Sequence, residues 1–141
     1  MEKILSKLRR SSSHEVERDP VELVGYHGGE VRGRTVYLTD DIDVAKRYGE
    51  PQKLFYTANN PHFVDTPEEF VKIDEEAKKN ITGTHNSGHG RFAEWARSKG
   101  YDALVVSGQA RAALGADGFQ ETLILEPERL RSSYIENDPL L

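Results

Sequence analysis

The chain contains no cysteine, one methionine and one tryptophan in 141 residues. Without cysteine there is no disulfide framework, no thiol nucleophile and no thiolate metal site. That absence fits a reducing cytosol and an exported protein equally. No stretch approaches the ~20 apolar residues that a bilayer-spanning helix needs. Residues 1–10 (MEKILSKLRR) lack the continuous apolar run and small-residue cleavage site of a secretory signal. The expectation is a protein without membrane contact, cytoplasmic in a bacterial or host cell, with a non-classical export route left open. Positive charge is also scarce: 19 Lys and Arg against 24 Asp and Glu give a net charge of −5 and a pI near 5.6. This argues against a broad basic face that gathers nucleic acid. The clusters at Arg9-Arg10 and Arg129/Arg131 are too small to change that, and solvated surface is their default. There is neither a G-x-G-x-x-G fingerprint nor a P-loop, so a bound nucleotide would have to be held by side chains and strand edges. A Gly-x-Ser-x-Gly nucleophile elbow is missing too.

What remains is enough for one compact core. Residues 1–20 are expected as a flexible or short-helical lead, 21–135 as the domain and 136–141 as a tail. Strands are expected at 21–26, with His27-Gly28-Gly29 at the end, and at 34–39. A short helix capped by Thr39, Asp40 or Asp41 should carry Ile42, Ala45 and Tyr48 on one face, pointing Tyr48 back toward the strands. Short strands at 53–58 and 62–65 precede a helix at about 67–79, which starts with Thr66 as cap and Pro67 at its first position and buries Phe70, Ile73 and Ala77. A glycine-rich loop at 82–90 leads to a helix at 91–99 with Phe92, Trp95 and Ala96 inward and Gly100 as its stop. Strands at 101–106 and 119–125 are linked by 107–118, expected as a surface loop. Short strands with a few helices and no regular alternation point to an α+β domain.

Taken singly, the polar residues of interest have ordinary explanations: His27 as a satisfied strand-end histidine, Tyr37 as core, Tyr48 as a helix-face aromatic, Glu121 as surface. Together, in this order, Tyr26-His27-Gly28, Tyr37-Leu38-Thr39-Asp40 through Ala45 to Tyr48, and Gln120-Glu121 opening a late strand resemble the His-Tyr-Glu branch of the ADP-ribosyltransferase superfamily. That branch includes diphtheria-type toxins and poly(ADP-ribose) polymerases. The chain looks closest to small phage or mobile-element transferase domains, over about residues 21–131. The resemblance implies an α+β fold of split antiparallel β-sheets with short flanking helices, NAD as co-substrate and a bacterial or phage effector role. It also implies that His27 bonds the adenosine ribose and that the Gly28 backbone pairs with the nicotinamide carboxamide. Tyr37 and Tyr48 would enclose the nicotinamide ring, and Glu121 would bind the nicotinamide ribose as the catalytic carboxylate. Ala45 stands where the polymerases often carry a serine, Val44 where they can carry a lysine, and Phe119 is neither of the residues that mark arginine- or asparagine-modifying branches. Chain elongation is therefore not supported and the target residue is unassigned.

These residue types suit the chemistry on independent grounds. Breaking the bond between nicotinamide and ribose passes through an oxocarbenium-like state, which a fixed carboxylate stabilises. A flat aromatic leaving group calls for aromatic walls. The expected activity is mono-ADP-ribosyl transfer to a macromolecule, a protein before a nucleic acid. An NAD glycohydrolase, a non-catalytic binding module on the same fold and transfer of an RNA phosphate to NAD are the alternatives. His85 and His89 have metal-like spacing, but without a third ligand or any cysteine no metal site is expected there.

Overall fold

A computed structural model of the chain describes residues 19–80, 88–112, 115 and 118–132. The expected lead and tail segments lie outside these residues, save Asp19 and Pro20. The elements run β1 (Val21–Gly28), β2 (Val36–Thr39), α1 (Ile42–Ala45) with a 3-10 turn Lys46–Tyr48, β3 (Pro51–Ala58), β4 (Pro61–Val64), α2 (Pro67–Asn80), α3 (Gly88–Ser98), β5 (Ala103–Val106), α4 (Gly108–Arg111), β6 (Glu121–Ile124) and a 3-10 turn Pro127–Arg129. No helix among the described residues is long and apolar enough to cross a membrane.

The class is α+β, with strands in the order β3-β1-β2-β6-β5-β4. In place of two split antiparallel sheets there is one hydrogen-bonded sheet, and its β4–β5 pair is parallel. The long connection through α2 and α3 permits that direction, since parallel neighbours need a crossover. The sheet is nevertheless thin at one point. β1 matches β3 over eight residue pairs and β2 matches β6 over four, but β1 meets β2 through Tyr26 and Thr39 alone.

At that junction the sheet folds over on itself. Leu23 of β1 and Leu54, Tyr56 and Ala58 of β3 share a core with Val36, Leu38, Ala103 and Ile124. The Tyr56 hydroxyl donates to the Asp102 carbonyl just before β5 (3.2 Å), although three strands separate β3 from β5 in the sheet order. The opposite face of β5 and β6 packs on the helices: Phe70, Ile73 and Ala77 of α2, Ala93, Trp95 and Ala96 of α3 and Ala110 of α4 surround Leu104, Val106 and Leu123. Leu123 and Ile124 thus serve different cores because successive strand residues point to opposite faces.

Helix α2 starts and buries its apolar residues as expected, with the Glu69 N–H bonded to Thr66 Oγ1 (3.2 Å). Helix α3 begins at Gly88, three residues earlier than expected, and its Arg91 pairs with the buried Asp74 of α2 (3.0 Å). The segment 107–118 departs most from expectation. It holds α4, capped by Ser107 Oγ accepting from the Ala110 N–H (3.1 Å), with Ala110 and Arg111 buried. Ser107 is an effective cap, and the Ala110 methyl completes the helix-side core.

Asp102 ties the two layers together. It accepts from the backbone N–H groups of Asn59 (2.7 Å) and Asn60 (2.9 Å) and pairs with Arg129 (3.2 Å), whose guanidinium lies 4.8 Å from the Tyr56 ring centre. Burial, with the charge of Asp102 adding to it, pushes the Tyr56 phenol well above its ordinary range. Removing the buried Asp102 leaves the two part-buried N–H groups and the Arg129 guanidinium without their shared acceptor. Asp102→Ala is expected to lower the free energy of unfolding by about 3 kcal/mol. Glu22→Ala, at the more exposed pair with Arg131, should cost under about 1 kcal/mol. Denaturant midpoints of the two variants check this, and equal midpoints would remove Asp102 from the account.

Candidate functional site

The thin junction between β1 and β2 opens into a cleft of about 680 Å³. The Gly29 N–H donates to the Glu50 carbonyl (3.1 Å), so alternate residues of β1, among them His27 and Gly25, direct their backbone groups at β3. By the alternation of an antiparallel ladder, Tyr26 and Gly28 then direct theirs toward β2. Tyr26 meets Thr39 there. Two residues on, where Gly28 would have met Tyr37, the His27 imidazole intervenes instead. Its Nδ1 lies 3.0 Å from the Tyr37 carbonyl oxygen, and its Nε2 lies 2.8 Å from the Glu30 carbonyl oxygen. A side chain replaces a rung of the ladder and wedges the strands apart, leaving the Gly28 backbone edge facing the gap.

The far wall is α1 and its 3-10 turn. A Cβ on Gly28 would stand 1.8 Å from the Ala45 carbonyl oxygen, so β1 and α1 touch backbone to backbone and only glycine permits it. Tyr37 and Tyr48 both line the cleft. Their environments differ. Tyr37 is half-buried against the helix-side core, whereas Tyr48 is 74 % exposed. The expected single face of Ile42, Ala45 and Tyr48 is corrected here: Val44 and Ala45 are buried, and Ile42 is exposed. The helix lasts one turn before tightening to 3-10 winding, and Tyr48, the last residue of that winding, is left exposed.

Glu121 is one ladder step away. It opens β6 opposite Thr39, which lines the cleft, and shares a sheet face with Tyr37 and Leu123. Glu121 itself is not among the lining residues of the cleft. Its carboxylate makes an ion pair with Arg111 of α4, Nε to Oε1 at 3.6 Å. It is close enough to be felt at the cleft wall: burial pushes the Tyr37 phenol up to about 12, the Glu121 charge adds to the rise, and Arg97 opposes it. A second, shallower hollow of about 450 Å³ shares Tyr26 with the first and is walled by Asp40, Ile42 and Phe119. The structure therefore brings His27, Gly28, Tyr37 and Tyr48 around one cleft and sets Glu121 beside it.

Arg111 and Thr39 belong to this neighbourhood and are not evident as such in the sequence. A single cation among small residues in Gln109-Ala110-Arg111-Ala112 was the available signal for the first; strand pairing alone identifies the second. Among the described residues no three His, Cys, Asp or Glu side chains group as metal ligands. His85 and the side chain of His89 lie outside them. No family model, no curated protein and no solved structure matches this chain.

Two outcomes test this geometry without any ligand. The folded Tyr37 phenol titrates above its unfolded value of 10.0, so its contribution to stability is complete below about pH 10 and is lost as pH rises toward about 12. Tyrosinate absorbance, compared with Tyr37→Phe, should show this late titration. Glu121→Gln should move it down while leaving it above 10.0, because burial is the larger cause; an unmoved titration would separate the two residues. Gly28→Ala should disrupt the wall built by α1 and sharply raise amide exchange across 41–49, and wild-type exchange would contradict the close approach.

Proposed function

We propose that this chain is a mono-ADP-ribosyltransferase that cleaves NAD at the nicotinamide–ribose bond and passes ADP-ribose to a macromolecular acceptor, a protein before a nucleic acid. The observation that carries the reading is the convergence of His27, Gly28, Tyr37 and Tyr48, drawn from three elements, on one cleft with Glu121 paired to its edge. The cleft volume lies within the range of small-molecule sites. Its lining residues offer what the co-substrate would require: two phenol rings for a flat heterocycle, a strand edge at Gly28 for a carboxamide, and the exposed Arg32, paired here with Glu30, for a diphosphate. His27 Nε2 would exchange the Glu30 carbonyl for a ribose hydroxyl, a group that can either accept from or donate to a ring nitrogen.

The substrate's own chemistry is a glycosidic bond whose electron pair departs with the nicotinamide nitrogen, leaving positive charge on the ribose. Glu121 would hold the ribose hydroxyl and offset that charge as it develops, an interaction stronger at the top of the barrier than in the ground state. Tyr37, being half-buried and neutral at physiological pH, offers an uncharged wall that does not compete with the departing ring. The acceptor nucleophile then bonds to the anomeric carbon from the opposite side and surrenders its proton. Tyr48, which is 74 % exposed, would gain burial by packing on the ring.

The test is incubation of the protein with NAD and a bacterial lysate, following nicotinamide release and ADP-ribose attachment by mass spectrometry. Attachment is expected, and Glu121→Gln should lower it about a thousandfold with NAD affinity largely kept. Release without attachment would instead make the protein an NAD glycohydrolase. No release from the wild type with any acceptor fraction would overturn the enzymatic reading.

A further inference from the structure

The Arg111 side chain is 9 % exposed and the Glu121 side chain 15 %, so this is an ion pair held largely away from water. Arg111 is fixed independently of Glu121. Its backbone N–H donates to the Ser107 carbonyl (3.0 Å), its Nη1 donates to the Phe119 carbonyl (3.1 Å), and its guanidinium lies 4.1 Å from the Phe119 ring centre. The start of α4 is pinned as well: a Cβ on Gly108 would stand 2.3 Å from the Gly118 carbonyl oxygen. α4 and the entry to β6 thus form one tight unit, with the cation locked into it. Glu121 sits at the first position of β6, between Thr39 and Val106 on its two neighbours. The separation of 3.6 Å between Nε and Oε1 is ion-pair distance, so the attraction of the two charges orients the carboxylate.

We infer that Arg111 is a positioning residue for Glu121: it holds the carboxylate on the Tyr37 face of the sheet, beside the cleft, and makes α4 part of the site. A glutamate on this strand has three side-chain torsions, and solvent competes for its charge. A buried guanidinium clamped to the backbone removes that freedom, and its planar fork can serve Phe119 and Glu121 at once, which an ammonium on a flexible stem cannot. The inference rests on the transferase reading for its kinetic arm only.

Arg111→Gln and Arg111→Lys, checked for fold by circular dichroism and denaturant midpoint, are compared with the wild type and Glu121→Gln. The first readout needs no NAD. In Arg111→Gln the Tyr37 titration should fall as far as it does in Glu121→Gln, because a carboxylate that swings away no longer acts on the phenol; in Arg111→Lys it should fall part of the way. The second readout is kinetic: kcat for ADP-ribose transfer should fall about a hundredfold in Arg111→Gln, the scale of a small misplacement of a reacting group, with KM for NAD within about twofold. Should Arg111→Gln fail to fold, Arg111→Lys decides on the same two readouts. A Tyr37 titration unchanged from wild type in a folded Arg111 variant overturns the inference, and so does a rise in turnover, which would make Arg111 a restraint on Glu121. If the wild type does not turn over NAD, the transferase reading fails while the Tyr37 titration still decides the role of Arg111.

Discussion

The contact between the backbone of Gly28 and the carbonyl of Ala45 is the constraint on which the site depends. Two chain segments approach with no side chain between them, so the α1 turn is held against the end of β1. Everything at the cleft follows from that approach. His27 precedes the contact and turns across to the Tyr37 carbonyl; Tyr48 follows it and lines the same cleft. A residue with a Cβ at position 28 would move one wall away from the other and enlarge the cleft to no chemical purpose.

The second determinant is the fold in the sheet. A ladder that continued past Tyr26 and Thr39 would seal the space between β1 and β2 with backbone hydrogen bonds. Replacing one rung by an imidazole keeps the Tyr37 carbonyl satisfied while freeing the edge of Gly28. The same bend brings β3 over β5, where Tyr56, Asp102 and Arg129 close the second core. Opening of the cleft at one end and closure of the core at the other are two consequences of one departure from a flat sheet.

Charge is arranged with the same economy. Glu121 and Arg111 face each other with little water, so neither is left as an isolated buried ion. Burial, reinforced by the Glu121 charge across the face they share and opposed by Arg97 of α3, leaves Tyr37 a neutral phenol at any physiological pH. The cleft therefore has a neutral phenol on the Tyr37 wall and an anionic centre set to one side, the distribution that the transferase proposal calls for.

Much of this is legible in the sequence, and for definite reasons. Period-two runs of β-branched and aromatic residues reveal β1, β2 and β6, and Thr66-Pro67 with the spacing of Phe70, Ile73 and Ala77 marks α2, because these patterns are local. The order of His27, Tyr37, Tyr48 and Glu121 suggests the chemistry. Sequence could not reveal that Glu121 lies against Arg111 or that Tyr48 turns outward. The first depends on α4, a short helix hidden in a small-residue segment that looks like loop. The second lies at the end of a one-turn helix too short for spacing to fix its faces, and the parallel pairing of β4 with β5 depends on how α2 and α3 pack. Local hydrogen bonding and burial periodicity are written residue by residue, so the sequence alone determined the longer elements and the candidate residues. Close approach, strand pairing and charge neutralisation join residues far apart in the chain, so only the tertiary structure decided which of those residues meet.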